Sequence, residues 1–122
     1  MKRERCAIGR RGEETAMEFL VQKGFQIIER NFRTRFGEID LVASENNELV
    51  FIEVRSRSST KAGHPLETVN HRKQRQVMQM ARAYLMVKHL STSQLCRFDV
   101  VGIVWKKDKP PEIIHIRNAF CG

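Results

Sequence analysis

Apolar positions along the chain change period several times, and each change marks an element. In residues 12–23, Ala16, Met17 and Leu20 fall on one face at helical spacing, with Glu14 and Glu18 off it. Gly12 opens this predicted helix, Glu13 and Glu14 suit its positive N-terminal end, and Gly24 suits the C′ position that ends it. Glu13 breaks the pattern, because it is a carboxylate on the apolar face; snorkelling or dipole compensation would also put it there. Residues 25–34 read as a strand of mixed polarity. Residues 36–43 and 49–57 are clearer strands, joined by a polar turn over 44–48. Residues 56–65 show no apolar periodicity and read as a loop. Over 67–90, Val69, Val77, Met80, Tyr84 and Val87 share a face and predict a long helix. Residues 96–105 read as a strand, 106–112 as a turn and 113–117 as a short last strand. The order α-β-β-β-α-β-β predicts an α/β fold with a long helix crossing the sheet.

Strand alternation then selects candidate chemistry. Glu38 and Asp40 point one way from their strand, and Ile39 and Leu41 the other. Glu53 and Arg55 likewise alternate with Ile52 and Val54. If the two strands pair as a hairpin, Asp40 shares a face with Glu53 and Arg55. Two carboxylates beside a cation offer hard oxygen ligands for Mg²⁺ with positions left for water and a phosphate oxygen. A salt-bridged sheet face has the same pattern. On the long helix, Lys73 sits at the centre of the apolar face, where lysine is uncommon unless paired or snorkelling. Arg72, Arg75 and Arg82, with Gln79, form a separate stripe that could follow a phosphate backbone or be a solvated face.

Charge sharpens this picture. The 122 residues, read as a single domain with 1–8 and 118–122 as flexible or peripheral termini, carry 22 Lys+Arg against 14 Asp+Glu, a net +8. With an isoelectric point near 9.9, a polyanion such as nucleic acid is the expected partner. The charge is uneven: residues 1–35 carry net +4, 36–60 net −3, 61–90 net +5 and 91–122 net +2. A plain DNA clamp has no use for carboxylates near phosphate. A metal-dependent nuclease does, because the metal stands between them; ordinary strand and turn solubility would also account for the acidity. Cys6, Cys96 and Cys121 are odd in number and scattered, which excludes a disulfide framework and fits a reducing cytoplasm. No apolar run approaches the ~20 residues of a membrane span, and the N-terminus has no apolar segment of a secretory signal.

These residues resemble the YraN-like family of small bacterial proteins with a restriction-endonuclease-like fold, over about Gly9 to Phe120. The resemblance is carried by Gly9-Arg10-Arg11-Gly12-Glu13 with Ala16, Asn31-Phe32-Arg33, Gly37-Glu38-Ile39-Asp40-Leu41-Val42-Ala43 and Phe51-Ile52-Glu53-Val54-Arg55-Ser56-Arg57. Val69, Lys73, Ala81, Tyr84-Leu85, Arg97-Phe98-Asp99-Val100 and Asn118-Ala119-Phe120 complete it. The middle portion is also similar to archaeal Holliday-junction resolvases. The resemblance implies a three-layer α/β arrangement, a mixed sheet flanked by helices. It implies Asp40 as a metal-bridging aspartate, Glu53 as the second acidic ligand and the Val54 backbone carbonyl as a further one. Glu13 matches a helix glutamate that helps hold metal or position water. Mg²⁺ or Mn²⁺ is the implied cofactor, DNA the implied partner and a homodimer the implied assembly by analogy.

Two positions depart from the pattern of that fold. Ile39 stands where the motif has proline, and Arg55 where it has lysine. Arginine stays charged and cannot act as a base, although it can stabilise a phosphorane; Lys73 is a candidate for a lysine moved to the neighbouring helix. The expected catalytic set is therefore Glu13, Asp40, Glu53, Arg55 and Lys73. The expected nucleic-acid-binding set is Arg10, Arg11, Arg57, Lys61, Arg72, Arg75 and Arg82. The leading expectation is a metal-dependent nuclease acting on DNA, branched or damaged DNA included. The alternatives are a non-catalytic nucleic-acid-binding module and an interaction adaptor in DNA metabolism.

Overall fold

The computed structural model describes residues 2–58 and 71–119, with side chains from residue 11 onward. Helix α1 (Lys2–Gln22) leads into strands β1 (Gln26–Thr34), β2 (Gly37–Glu45) and β3 (Glu48–Arg57). Helix α2 (His71–Val87) and strands β4 (Cys96–Lys106) and β5 (Lys109–Ile116) follow. The element order is the expected one. The sheet runs β1-β2-β3-β4-β5, antiparallel except for the β3–β4 pair. A parallel pair needs a long crossover, and α2 lies in it.

The hairpin between β2 and β3 is tighter than the polar stretch suggested. Asn46 and Asn47 have φ of 50° and 66° and close the Glu45↔Glu48 pair. Both central residues of a type I′ turn need positive φ, and Asn tolerates it. The last strand is longer than expected, because the turn before it is confined to Lys107 and Asp108 and β5 already includes Pro110 and Pro111. Proline is admitted there because β5 is an edge strand, where a missing N–H need not break the ladder.

One helix covers each face of the sheet. Val77, Met80, Tyr84 and Leu85 of α2 pack with Ile39, Val42, Phe51 and Phe98. Ala16 and Leu20 of α1 pack with Leu41, Val50, Ile52 and Val101 on the other face. Leu20 is fully buried, and removing such a side chain from water contributes about 2 kcal/mol. Val87 does not join the core; it is 60% exposed in the last turn of α2. Val69 lies outside the described residues.

Helix α1 begins at Lys2 rather than at Gly12. Gly12 sits in close packing and is not a cap: a Cβ there would lie 3.1 Å from Ser56 Cβ on β3, so Ser56 would have to give by a few tenths of an ångström. Gly24 does end the helix, with φ of 98° and the Phe25 N–H donating to Leu20 O at 3.0 Å. Among the described residues no helix is long and apolar enough to cross a membrane.

At the hairpin end of the sheet, a charged network is built into the α1 side. Asp99 is fully buried and accepts from Arg97 Nε at 2.8 Å, Arg97 Nη2 at 3.0 Å, His115 Nε2 at 2.8 Å and the Asn118 N–H at 2.9 Å. These donors outweigh burial and hold the Asp99 carboxyl below its usual range. Arg97 extends the network to Glu45 and Glu48. The Ala119 N–H donates to Phe98 O at 2.7 Å and ties the chain down at 118–119. Residues 120–122 lie outside the described set.

Candidate active site

The acidic residues gather at the opposite end of β2, where the sheet alternation fails. Ile39 joins the core cluster beneath α2, whereas Leu41, two residues on, joins the one beneath α1. A regular strand would put both on one face. The β2–β3 ladder starts at Leu41↔Ile52, so Asp40 and Glu53 lie just beyond it. There the Val54 N–H donates to Asp40 Oδ2 at 2.8 Å, and a side chain takes the place of a ladder carbonyl.

Opposite Asp40 on β1 stands Asn31, between the pairs Arg30↔Leu41 and Phe32↔Ile39. Its φ of 55° lies in the left-handed region, which Asn enters more readily than most residues. Its side-chain nitrogen, oriented toward the acids, donates to Glu13 Oε1 and to Glu38 Oε1, each at 2.8 Å. Glu13 reaches the same place from α1. One carboxylate oxygen from each of Glu13, Glu38 and Asp40 lies within 4.8 Å of the others.

Glu53 stands beside this trio and is engaged differently. Lys73 Nζ from α2 is 3.3 Å from Glu53 Oε1, and Arg55 Nη2 is 3.1 Å from Glu53 Oε2. Asp40, Glu53, Lys73 and Glu38 line one small cleft between β2, β3 and α2. The expected catalytic residues Glu13, Asp40, Glu53, Arg55 and Lys73 are thus neighbours. Among the described residues the carboxylates within mutual ligand range, however, are Glu13, Glu38 and Asp40, and Glu53 is paired instead with its two cations. The Val54 N–H is engaged here by Asp40.

Among the described residues the trio is short of positive charge. Burial pushes the Asp40 carboxyl from its ordinary 3.8 up to about 6, and the charges of Glu13, Glu53 and Glu38 add to the rise against the Val54 N–H. Burial likewise raises Glu13, with Arg30 pulling it back. Arg33 Nε is 3.3 Å from Glu38 Oε2, but its side chain is 84% exposed, so water screens the pair. Three crowded carboxylate oxygens with too little neutralising charge are the donor set that suits a hard divalent cation. Glu13, Glu38 and Asp40 would hold it.

Glu38 was not among the expected site residues. Strand alternation and its place in the family pattern were its signals in the sequence, and the contact with Glu13 depends on α1 crossing this end of the sheet. Asn31 appeared only as part of the family pattern.

The expected nucleic-acid-binding residues divide between surfaces. Arg72 and Arg75 line a polar cleft along α2 with Gln76 and Gln79, and Gln79 also borders the groove lined by Arg82. These three arginines therefore follow one another along the helix. Arg11 stands apart from them, with its guanidinium 4.5 Å over the Trp105 ring. That ring packs against the core on the α1 side of the sheet, and α1 and α2 cover opposite faces. Arg57 is exposed at the end of β3. Lys61 and the side chain of Arg10 lie outside the described residues.

Comparison with known proteins fits this architecture. The model of the uncharacterised protein family UPF0102 matches residues 12–103, which take in the second half of α1, all of α2 and the strands that bear the site. The chain belongs to that family. A UPF0102 protein of Persephonella marina is 44% identical over 112 residues, covering 92% of this chain and 91% of the relative. One of Desulforamulus reducens is 42% identical over 122 residues, covering 98% and 100%. A third, from Chlorobium chlorochromatii, is 46% identical over 120 residues, covering 94% and 92%. The UPF0102 match takes in Glu13, Asn31, Glu38, Asp40, Glu53, Arg55 and Lys73.

Proposed function

We propose that the chain is a metal-dependent nuclease acting on DNA, with Glu13, Glu38 and Asp40 as its cation ligands and Mg²⁺ or Mn²⁺ as the cation. The observation that carries this reading is the convergence of three under-neutralised carboxylates from α1 and β2 beside two cations from β3 and α2. The cation, when bound, would offset phosphate charge and acidify a water. Asn31 fixes the orientation of Glu13 and Glu38 through its amide. Glu53 holds Arg55 and Lys73 at the edge of the cleft, where their charge can stabilise a phosphate as negative charge accumulates on it. The arginines along α2 supply sequence-independent attraction for the phosphate backbone.

Glu53 also supports a second reading, because its carboxylate is already neutralised by Arg55 and Lys73. On that reading the chain is a non-catalytic nucleic-acid-binding module that keeps the nuclease fold. One assay separates the two. Linear, nicked, flapped and four-way DNAs are incubated with wild type and Asp40→Ala across a Mg²⁺ and Mn²⁺ titration. Metal-dependent cleavage that Asp40→Ala loses supports the nuclease. DNA binding without cleavage at any metal concentration supports the module.

A further inference from the structure

Beside the acidic site, between edge strand β1 and α2, runs an open groove of about 620 Å³. Its floor includes Phe32, Phe36 and Met86, and its rim Arg33, Arg35 and Arg82; among the described residues no carboxylate lines it. Met86 is 75% exposed, a large apolar side chain left facing water. The Arg35 guanidinium lies 4.9 Å over the Phe36 ring, forming a planar cation on an aromatic face. Such a surface can stack on any base, since every base has a π-face, while the rim holds phosphates.

The groove is continuous with the rest of the site at two points. Arg33 on its rim pairs with Glu38 of the acidic trio. Gln79 borders both this groove and the polar cleft of Arg72 and Arg75. Gln76 from that cleft donates to the Phe36 carbonyl, which fixes the β1–β2 turn against α2. A duplex keeps its bases stacked inside and has no use for an apolar floor. An unpaired strand does.

We infer that this groove binds a short unpaired segment of nucleic acid, its bases stacked on the Arg35 guanidinium that Phe36 supports and its phosphates on Arg33 and Arg82, beside the acidic site. The substrate class is then DNA with a single-stranded arm rather than continuous duplex. The inference rests on the nuclease reading only for where the strand leads; the groove as a strand-binding surface stands on its own lining. An acidic, apolar protein segment has the same broad chemistry. The link to the arginine cleft and to the acids favours nucleic acid.

The test is fluorescence anisotropy with EDTA present, so that binding is read without cleavage. The probes are a blunt duplex and the same duplex carrying an unpaired arm of about ten thymidines, a length within single-strand site sizes. Wild type is expected to bind the armed duplex about tenfold more tightly than the blunt one, the worth of about one stacked base. Phe36→Ala should abolish that preference, and Phe36→Trp should restore it. Phe36 also packs against the core, so Arg35→Lys is the second variant: it keeps the charge, loses the plane and should lower the preference with blunt-duplex affinity held within about threefold. Equal binding of both probes by wild type, or a preference that survives both Phe36→Ala and Arg35→Lys, overturns the inference. So does an acidic amphipathic peptide that binds wild type, fails on Phe36→Ala and is not displaced by the armed duplex. Equal binding alongside Asp40-dependent cleavage would sink the groove alone, and an arm preference without cleavage would sink the nuclease alone.

Discussion

Asp40 carries the heaviest electrostatic load in the site, and Asp40→Asn tests that load as stability. Burial and the neighbouring charges of Glu13, Glu53 and Glu38 raise its carboxyl from 3.8 to about 6. The folded chain therefore holds this proton more tightly than the unfolded chain does. Stability from this group is fully present below 3.8 and is lost as pH rises through about 6. Above that window the rise from 3.8 to about 6 corresponds to about 3 kcal/mol of stability forgone. Asp40→Asn removes the charge and keeps an oxygen that can accept the Val54 N–H. Without divalent metal at about pH 7.5, the variant is expected to be more stable by about 1–3 kcal/mol, which raises Tm by about 5–15 °C. Below pH 3.8 the gain should vanish, because wild-type Asp40 is then protonated in both states. Thermal melts followed by circular dichroism in EDTA, from about pH 3.5 to 8, measure both limits. A variant no more stable than wild type at neutral pH, or a gain that persists unchanged in acid, would refute the crowding of charge at this site.

Three further perturbations follow. Asp99→Asn should destabilise the fold by about 3 kcal/mol, because it leaves Arg97 and His115 facing a neutral partner in a buried network. Its carboxyl is held low, so the stability Asp99 itself contributes, measured by urea unfolding, should be present at neutral pH and lost on acidification, the reverse of the Asp40 profile. Lys73→Ala should lower single-turnover cleavage about 100-fold to 1000-fold, whereas Arg55→Lys should be tolerated; full activity in Lys73→Ala would remove Lys73 from the chemistry. Replacing Arg72, Arg75 and Arg82 together with Ala should reduce the slope of log affinity against log salt by about 2–3, and an unchanged slope would take α2 out of the DNA path.

Much of this architecture is legible in the sequence, because its signals are local. Gly24 marks the end of α1, the polar stretch after Glu45 marks a hairpin, and the period-3.6 pattern of Val77, Met80 and Tyr84 marks the core face of α2. Asp40, Glu53 and Lys73 could be grouped because strand alternation and helix spacing are both short-range rules. Where a contact is set by packing between distant elements, those rules stop. Gly12 reads as a helix opening, yet its close neighbour is Ser56, on a strand far along the chain. Glu38 reads as one more strand acid until α1 brings Glu13 to it. The break in alternation at Asp40 comes from the parting of β2 and β3 beyond Leu41↔Ile52, which no residue pattern announces. Asp99 lies in an apolar strand, and its burial is explained only by three partners, of which His115 and Asn118 come from much later in the chain.

The role of the acidic trio is tested most directly by electron paramagnetic resonance of Mn²⁺ titrated into the protein at about pH 7.5, in the presence of a non-cleavable duplex. Wild type is expected to bind Mn²⁺ at a site that is lost in Asp40→Ala and weakened in Glu38→Gln and Glu13→Gln, since each substitution removes one hard oxygen charge from the set. Wild type that leaves all Mn²⁺ free, or a bound signal that Asp40→Ala retains in full, would contradict the assignment of Glu13, Glu38 and Asp40 as the metal centre.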